Sequence, residues 1–402
     1  MEWKEVDICQ LCDSVSETYK GNASEVVLIN TSDVLDGKCL NHEYVPNKNL
    51  KGQFKKTFRK GDILYSEIRP ANKRFCFVDF EPKDYIASTK LMVLRAHEDV
   101  DPQYLYQILR SNDTLAQLQM LAESRSGTFP QITYSELSNI MVSLPSQKAQ
   151  KNIVSILSSL DRKIELNNKI NADLEEMAQA IFKNWFVDFE PFKDGKFVDS
   201  ELGMIPEGWK VGRLDEIADV VGGSTPSKAK PEYYTQKGIA WLTPKDLSNH
   251  PAVYSSRGEI DITEEGYNST STKLMPKGTI LFTSRAPIGY ISIAQNDICT
   301  NQGFKSLVPK KAGTCFLYCF LKYVTPEIEN KSTGSTFKEA SGSLMKSLQV
   351  IMPEQKVFED FETIVSPLFA RIESLEKENS RLSTLRDTLL PRLMSGELEV
   401  PE

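Results

Sequence analysis

The sequence predicts an α+β fold in which two similar globular domains are separated by a long antiparallel two-helix coiled coil, with internal pseudo-twofold symmetry. Three observations carry this. Residues 128–182 align with residues 336–390 at a constant offset of 208, without a gap. Upstream of each aligned block lies a looser stretch that mixes short strand-like runs with helices. Within each block, apolar residues recur at alternating spacings of four and three, the mark of a helical seam.

The aligned block opens on Thr128-Phe129 against Thr336-Phe337 and passes Pro145, Gln147 and Lys148 against Pro353, Gln355 and Lys356. It continues through Ile156, Leu160, Ile164, Glu165, Lys169, Asn171 and Leu174, matched by Ile364, Leu368, Ile372, Glu373, Lys377, Asn379 and Leu382. Upstream the offset wanders. Trp3-Lys4 pairs with Trp209-Lys210 at 206, Gly61–Leu64 with Gly278–Leu281 at 217, and Tyr104–Arg110 with Phe316–Lys322 at 212. A period this long is far above the roughly 20 to 50 residues of solenoid repeats, so whole domains are duplicated. The chain then divides into a first globular domain (1–145), a first helical region (146–190), a connector (191–208), a second globular domain (209–352) and a second helical region with tail (353–402).

In the first globular domain Val26–Ile29, Asp62–Tyr65 and Leu91–Leu94 read as strands, and in the second Ile239–Leu242, Thr279–Phe282 and Tyr290–Ala294 do. Tyr104–Arg110 and Phe316–Tyr323 read as helices. The first long helix carries the seam Ile153, Leu157, Leu160, Ile164, Asn167, Asn171, Leu174, Ala178, Ile181, Trp185. The second carries Phe361, Val365, Leu368, Ile372, Leu375, Asn379, Leu382, Arg386, Leu389, Leu393. Eight of ten positions are apolar in each, so one helix can cover the other's seam. Asn171 and Asn379 occupy the same slot, and a polar residue in a seam fixes register and orientation. Leu160, Ile164, Asn171, Leu174, Leu368, Ile372, Asn379 and Leu382 are the expected register positions. The alternative packs each helix on its own domain and leaves the asparagines solvated.

Topology gives the direction. The first helix ends just before the second globular domain and the second helix leaves that domain, so an approximate twofold makes the helices antiparallel and returns the C-terminus toward the N-terminus. Seam helices of this length separate their ends by about 50 Å at about 1.5 Å per residue, or about 15 base pairs of duplex at roughly 3.4 Å each.

Composition bounds the function. No apolar run reaches the roughly 18 residues of a membrane span, and the N-terminus lacks the order of a signal peptide. Seven scattered cysteines, Cys9, Cys12, Cys39, Cys76, Cys299, Cys315 and Cys319, suit free thiols in a reducing compartment, so the expected location is cytoplasmic. Cys9 and Cys12 have no second pair, and His42, His97 and His250 stand at no ligand spacing, so no metal is expected. The net charge is −7, and residues 353–402 hold 6 basic against 11 acidic groups. Any nucleic-acid contact must therefore come from local patches in the globular domains.

No P-loop, dinucleotide fingerprint, His-Glu-x-x-His, Gly-x-Ser-x-Gly or amino-methyltransferase Asn/Asp-Pro-Pro-Tyr/Phe sequence is present, so no catalytic residue is expected. Basic clusters do stand out. Lys48, Lys51, Lys55, Lys56, Arg59 and Lys60 fall in 13 residues without an acid, and Arg69, Lys73 and Arg74 follow. Such density attracts phosphate, and an arginine in a loop can fork onto a guanine edge. The bland alternative is a solubilising surface. The second copy offers Lys228, Lys230, Lys245, Arg285 and Lys338, with Asn301 and Gln302 suited in type to adenine edges. Trp241 reads as core before it reads as a stacking surface.

Four stretches carry a resemblance. They are Phe182-Lys-Asn-Trp-Phe-Val-Asp-Phe-Glu-Pro-Phe192, Leu202-Gly-Met-Ile-Pro-Glu-Gly-Trp-Lys210, Trp241-Leu-Thr-Pro-Lys-Asp-Leu247 and Leu389-Leu-Pro-Arg-Leu-Met-Ser-Gly-Glu397. With the duplicated plan, they make the chain resemble, over nearly its full length, the specificity subunit of type I restriction-modification enzymes. The resemblance implies two target-recognition domains, each reading half of a bipartite double-stranded DNA target, with the helices as spacer. It implies two methyltransferase subunits that bind S-adenosylmethionine, two restriction subunits that use ATP and Mg, and no cofactor or catalytic residue on this chain. The first copy has Leu28-Ile-Asn-Thr-Ser-Asp33 where the second has Trp241-Leu-Thr-Pro-Lys-Asp246, which favours different half-sites. The competing readings are a coiled-coil scaffold with protein-binding globular ends and a self-contained DNA methyltransferase.

Overall fold

The structure is a computed structural model that describes residues 3–48, 52–124, 130–332 and 338–400. Lys51, Thr128, Phe129, Thr336 and Phe337 lie outside the described residues. The chain forms two compact units, Met1–Lys163 with Arg381–Glu402 and Ile164–Ser380. No helix among the described residues is long and apolar enough to cross a membrane.

In the first unit Lys4–Asp7 pairs antiparallel with Met141–Leu144, so the globular part begins and ends side by side. Its central sheet runs Cys12–Val15, Leu91–Ala96, Ile63–Ser66, Phe75–Phe77, all antiparallel. The run Leu91–Leu94 is buried throughout, because the sheet is covered on both faces. Glu25–Ile29 lies parallel to Tyr85–Ser88 within a second sheet, flanked by Tyr44–Pro46 and Phe54–Lys56. The helix Pro102–Arg110 starts at an Asp101 cap, whose carboxylate accepts the Gln103 and Tyr104 N–H groups, and buries Tyr104 completely.

The second unit repeats this plan. Lys210–Arg213 pairs with Gln349–Met352. The central sheet runs Ala218–Gly222, Lys305–Pro309, Ile280–Ser284, Ile288–Ala294, with Tyr254–Ser255 added parallel at the edge. Trp241–Leu242 lies parallel to Cys299–Thr300, as Glu25–Ile29 lies beside Tyr85–Ser88. The strand expected over Ile239–Leu242 is thus confined to its last two residues, with Ile239 bridging Ile262 alone. The helix Thr314–Lys331 buries Phe316 among the rings of Phe182, Phe186, Phe320, Phe358 and Phe361.

The long helices span Gln147–Phe186 and Gln355–Met394, 40 residues each. Within the second unit they pack antiparallel. Asn167 meets Asn379, and Trp185 meets Phe361 with ring centroids 5.9 Å apart, eighteen residues on along one helix and eighteen back along the other. Ala178, Phe361, Val365, Ile372 and Leu375 are fully buried at the seam. Within the first unit Asp161 takes Arg386 at 2.8 Å and Arg110 at 2.9 Å on its two oxygens. Glu376 turns from the second helix to accept the Val253 and Tyr254 N–H groups, and burial raises its carboxyl to about 7. The tail returns to the N-terminal segment of its own unit, with Leu390, Leu393 and Val400 in the core. Gly396, at φ +75, sits so close to the Trp3 indole that a Cβ would fall 2.5 Å from its Nε1.

Asn171 and Asn379 are equivalent along the chain, but in an antiparallel pair equivalent slots do not face each other. Asn379 meets Asn167, whose Nδ2 donates to its Oδ1 at 2.9 Å, and returns a bond to Asn168 at 2.8 Å. Asn167 and Asn171 each bury an Oδ1 with no partner among the described residues. The asparagines that meet across the helices are Asn167 and Asn379.

Candidate nucleic-acid interface

The second globular domain gathers its polar candidates around one cleft of about 660 Å³, bordered by Lys228, Lys245, Arg285, Asn301 and Gln302. Four short segments bring them there. The turn after the strand Ala218–Gly222 passes so close to Thr300 and Asn301 that a Cβ on Gly223 would lie 2.2 Å from both carbonyl oxygens. A side chain at Gly223 would therefore push the turn off the cleft wall. Thr225 from this turn hydrogen-bonds Gln302.

The segment after Trp241–Leu242 forms the next wall. Asp246 accepts the Thr243 N–H at 2.7 Å and its hydroxyl at 2.6 Å, and Pro244 opens the helix Pro244–Asn249. Lys245 stands exposed in that first turn, with Glu259 3.6 Å away. Trp241 is 7% exposed and donates its Nε1–H to the Ser224 carbonyl, so it packs as core while bordering the cleft. The third segment is Asn301–Gly303, where Asn301 Oδ1 accepts the Gly303 N–H at 2.8 Å. The fourth is Arg285-Ala286 at the end of Ile280–Ser284, with Ala286 left-handed at φ +55.

Two residues that sequence reasoning missed sit behind Arg285. Glu339 lies 3.5 Å from Arg285 Nη1 and 3.5 Å from Lys305 Nζ. Lys230 and Lys338 are not part of the cleft lining. Lys230 turns onto the Tyr233 hydroxyl at 2.7 Å and over its ring, and Lys338 donates to the Glu329 carbonyl.

The basic run of the first domain is divided. Lys55, Arg59 and Lys60 are exposed. Lys56 is not a surface charge of the same kind: it donates to the Leu91 carbonyl at 2.8 Å, and burial lowers its pKa. That bond ties the edge strand Phe54–Lys56 to the start of Leu91–Ala96 in the neighbouring sheet. Arg69 and Lys73 are exposed at left-handed backbone positions on either side of a single turn, Pro70–Asn72. Arg74 is half-buried and donates to the Ser32 and Val34 carbonyls, holding the loop that follows Glu25–Ile29.

That loop holds the counterpart of the Thr243–Asp246 turn. Asp33 accepts the Asn30 N–H at 2.8 Å, as Asp246 accepts that of Thr243. The motifs that differ by residue therefore build one capping arrangement, with Ser32 where Lys245 stands.

A family model described as the type I restriction modification DNA specificity domain matches the chain twice, over residues 2–176 and 206–383. The chain is 33% identical over 460 residues to the specificity subunit of type I restriction enzyme HindI from Haemophilus influenzae, covering 99% of this chain and 100% of that one. It is 40% identical over 193 residues to the MjaIX specificity subunit of Methanocaldococcus jannaschii, covering 47% and 44%. Among solved structures, a type I restriction-modification S subunit from M. genitalium shares the fold at a TM-score of 0.55 and 18% identity, over 100% of this chain and 97% of that one.

Proposed function

The chain belongs to the type I restriction modification DNA specificity family, and we propose that each globular domain reads one half of a bipartite duplex target while the long helices set the gap between the halves. The chain supplies target recognition to a type I restriction-modification system; the chemistry belongs to separate subunits. Two methyltransferase subunits with S-adenosylmethionine dock on the helical regions, and two restriction subunits supply ATP- and Mg-dependent cleavage, all in the cytoplasm.

One observation carries the reading: a single backbone frame, built twice, presents different side chains in its two copies, and in the second they border a cleft. The exposed Lys228 and Lys245 suit phosphate, and Arg285, Asn301 and Gln302 offer the fork and amides that discriminate base edges.

The test is the methylated motif of the chain reconstituted with its methyltransferase subunits. One matched heptad is inserted into each helix at points that face each other, between Asn171 and Ala172 and between Ser374 and Leu375, so that Asn167 still meets Asn379. Seven residues lengthen each helix by about 10 Å, or about three base pairs. A gap widened between unchanged half-sites supports the reading. Retained methylation with an unchanged gap refutes the spacer role, and a complex that selects no DNA sequence refutes recognition and favours a protein-binding scaffold.

A further inference from the structure

Resting on the recognition role just proposed, we infer that Arg285 reads a guanine in the half-site of the second domain and that Glu339 is the positioning residue that aims it. The backbone around Arg285 is fixed on both sides. Ser284 donates its N–H to the Gly303 carbonyl at 2.7 Å, and its own carbonyl accepts the Ala340 N–H at 2.9 Å. Arg285 is thus pinned beside the cleft wall at Gly303 on one side and beside Glu339 on the other.

The first domain builds the same frame. Glu67 donates its N–H to the Lys90 carbonyl at 3.1 Å, and its carbonyl accepts the Ile132 N–H at 2.8 Å. Strand registers extend the match. Leu94 stands opposite Ile63 as Leu307 stands opposite Ile280, so Met92 corresponds to Lys305. Ile68 and Gln131 bridge one another where Arg285 and Glu339 lie side by side. The frame therefore forms with isoleucine, glutamine and methionine at these three places. Folding does not require the ions that the second domain puts there.

Their arrangement suits base reading rather than phosphate binding. A group that only attracts phosphate gains from standing alone, as Lys228 does. Arg285 instead has a carboxylate 3.5 Å from Nη1, and that carboxylate is held from behind by Lys305, which is 17% exposed. A carboxylate on one nitrogen removes part of the attraction for phosphate and limits rotation of the planar group. Nε and Nη2 then remain as the two parallel donors that a guanine edge accepts at O6 and N7.

The experiment uses the reconstituted complex and a duplex library varied through both half-sites, with binding measured across a range of salt. Arg285→Ile, Glu339→Gln and Lys305→Met each import the residue of the first domain, whose frame is folded. Arg285→Ile is expected to relax one G·C position of one half-site by about tenfold or more, with the slope on salt unchanged. Glu339→Gln should relax the same position by about threefold or more, and the double variant should add little to Arg285→Ile alone. Equal weakening on every sequence, with a salt slope lower by about one, would make Arg285 a phosphate contact and overturn the inference. Unaltered discrimination in Glu339→Gln overturns the positioning role. Thermal melting of each variant separates misfolding, and in that event Arg285→Lys, which keeps charge and loses the fork, decides by the same position-specific readout. A wild-type complex without sequence preference would instead refute the recognition role itself.

Discussion

At the end of the strand Ile63–Ser66 the first domain turns through left-handed Arg69 into Pro70, and at the end of Ile280–Ser284 the second turns through left-handed Ala286 into Pro287. Both turns set a left-handed residue before a proline, but only Ala286-Pro287 is cis among the described residues, and the side chains differ. The second copy places its arginine one residue earlier, against the cleft, and fills the left-handed position with alanine. The first copy carries isoleucine toward the frame and puts its arginine on the turn. The same contrast recurs at Asn30–Asp33 and Thr243–Asp246, where one capping arrangement presents Ser32 in one domain and Lys245 in the other. Duplication kept the hydrogen bonds that hold the loops and released the groups that face the opening, so two half-sites can differ without two folds.

If frame and lining are separable, frame substitutions should act on stability and leave the motif alone. The largest effect is expected at Phe316, fully buried among aromatic rings, and at its counterpart Tyr104. Phe316→Ala should destabilise its unit by about 3–5 kcal/mol. Tyr104→Ala should cost as much in the other unit and also leave the Ser143 carbonyl without its hydroxyl donor. Denaturant unfolding gives the loss, and motif mapping on the surviving complex should return the parental sequence. A changed base preference in either variant would break the separation.

The seam offers a finer contrast. Asn167 and Asn171 each bury an oxygen with no partner among the described residues, but Asn167 also donates to Asn379 and to Glu378. Asn167→Leu leaves Asn379 facing an apolar group and should cost about 1–3 kcal/mol. Asn171→Leu removes an unpaired polar group and should be neutral or stabilising by about 1 kcal/mol. Equal losses in the two variants would mean that Asn171 has a hydrogen-bond partner in solution.

The duplication and the seam were legible because constant offset and heptad spacing are properties of chain order alone. The facing of Asn167 and Asn379 was not, since equivalence along the chain and contact across an antiparallel pair are different relations. Lys228, Lys245, Arg285, Asn301 and Gln302 were found by residue type, but only the fold shows that they share one cleft and that Lys230 does not. Glu339 escaped because an acid is not sought where phosphate is expected. Its signal was present in the fixed offset of 208, which sets it against Gln131. Lys56 belongs by residue type to the basic run, but strand alternation turns it inward from exposed Lys55.

The smallest effects, and the ones that resolve the two surfaces, come from single exposed cations. Lys228→Ala and Lys245→Ala should weaken binding of the reconstituted complex alike on all sequences, each lowering the salt slope by about one. In the first domain Lys55→Ala, Arg59→Ala and Lys60→Ala should behave in the same way if that run lies along the duplex, since their side chains are exposed. Lys56→Ala should differ in kind. Its ammonium already donates to the Leu91 carbonyl, so the loss should appear as a lower unfolding midpoint with the salt slope unchanged. Salt titrations on a cognate and a scrambled duplex, beside melting curves, separate the two. A fall in slope for Lys56→Ala equal to that for Lys55→Ala would show that the inward lysine leaves the sheet edge to meet phosphate. Unchanged slopes for Lys55, Arg59 and Lys60 together would reduce that run to a solubilising surface and leave recognition in the first domain to Arg69, Lys73 and the loop around Ser32.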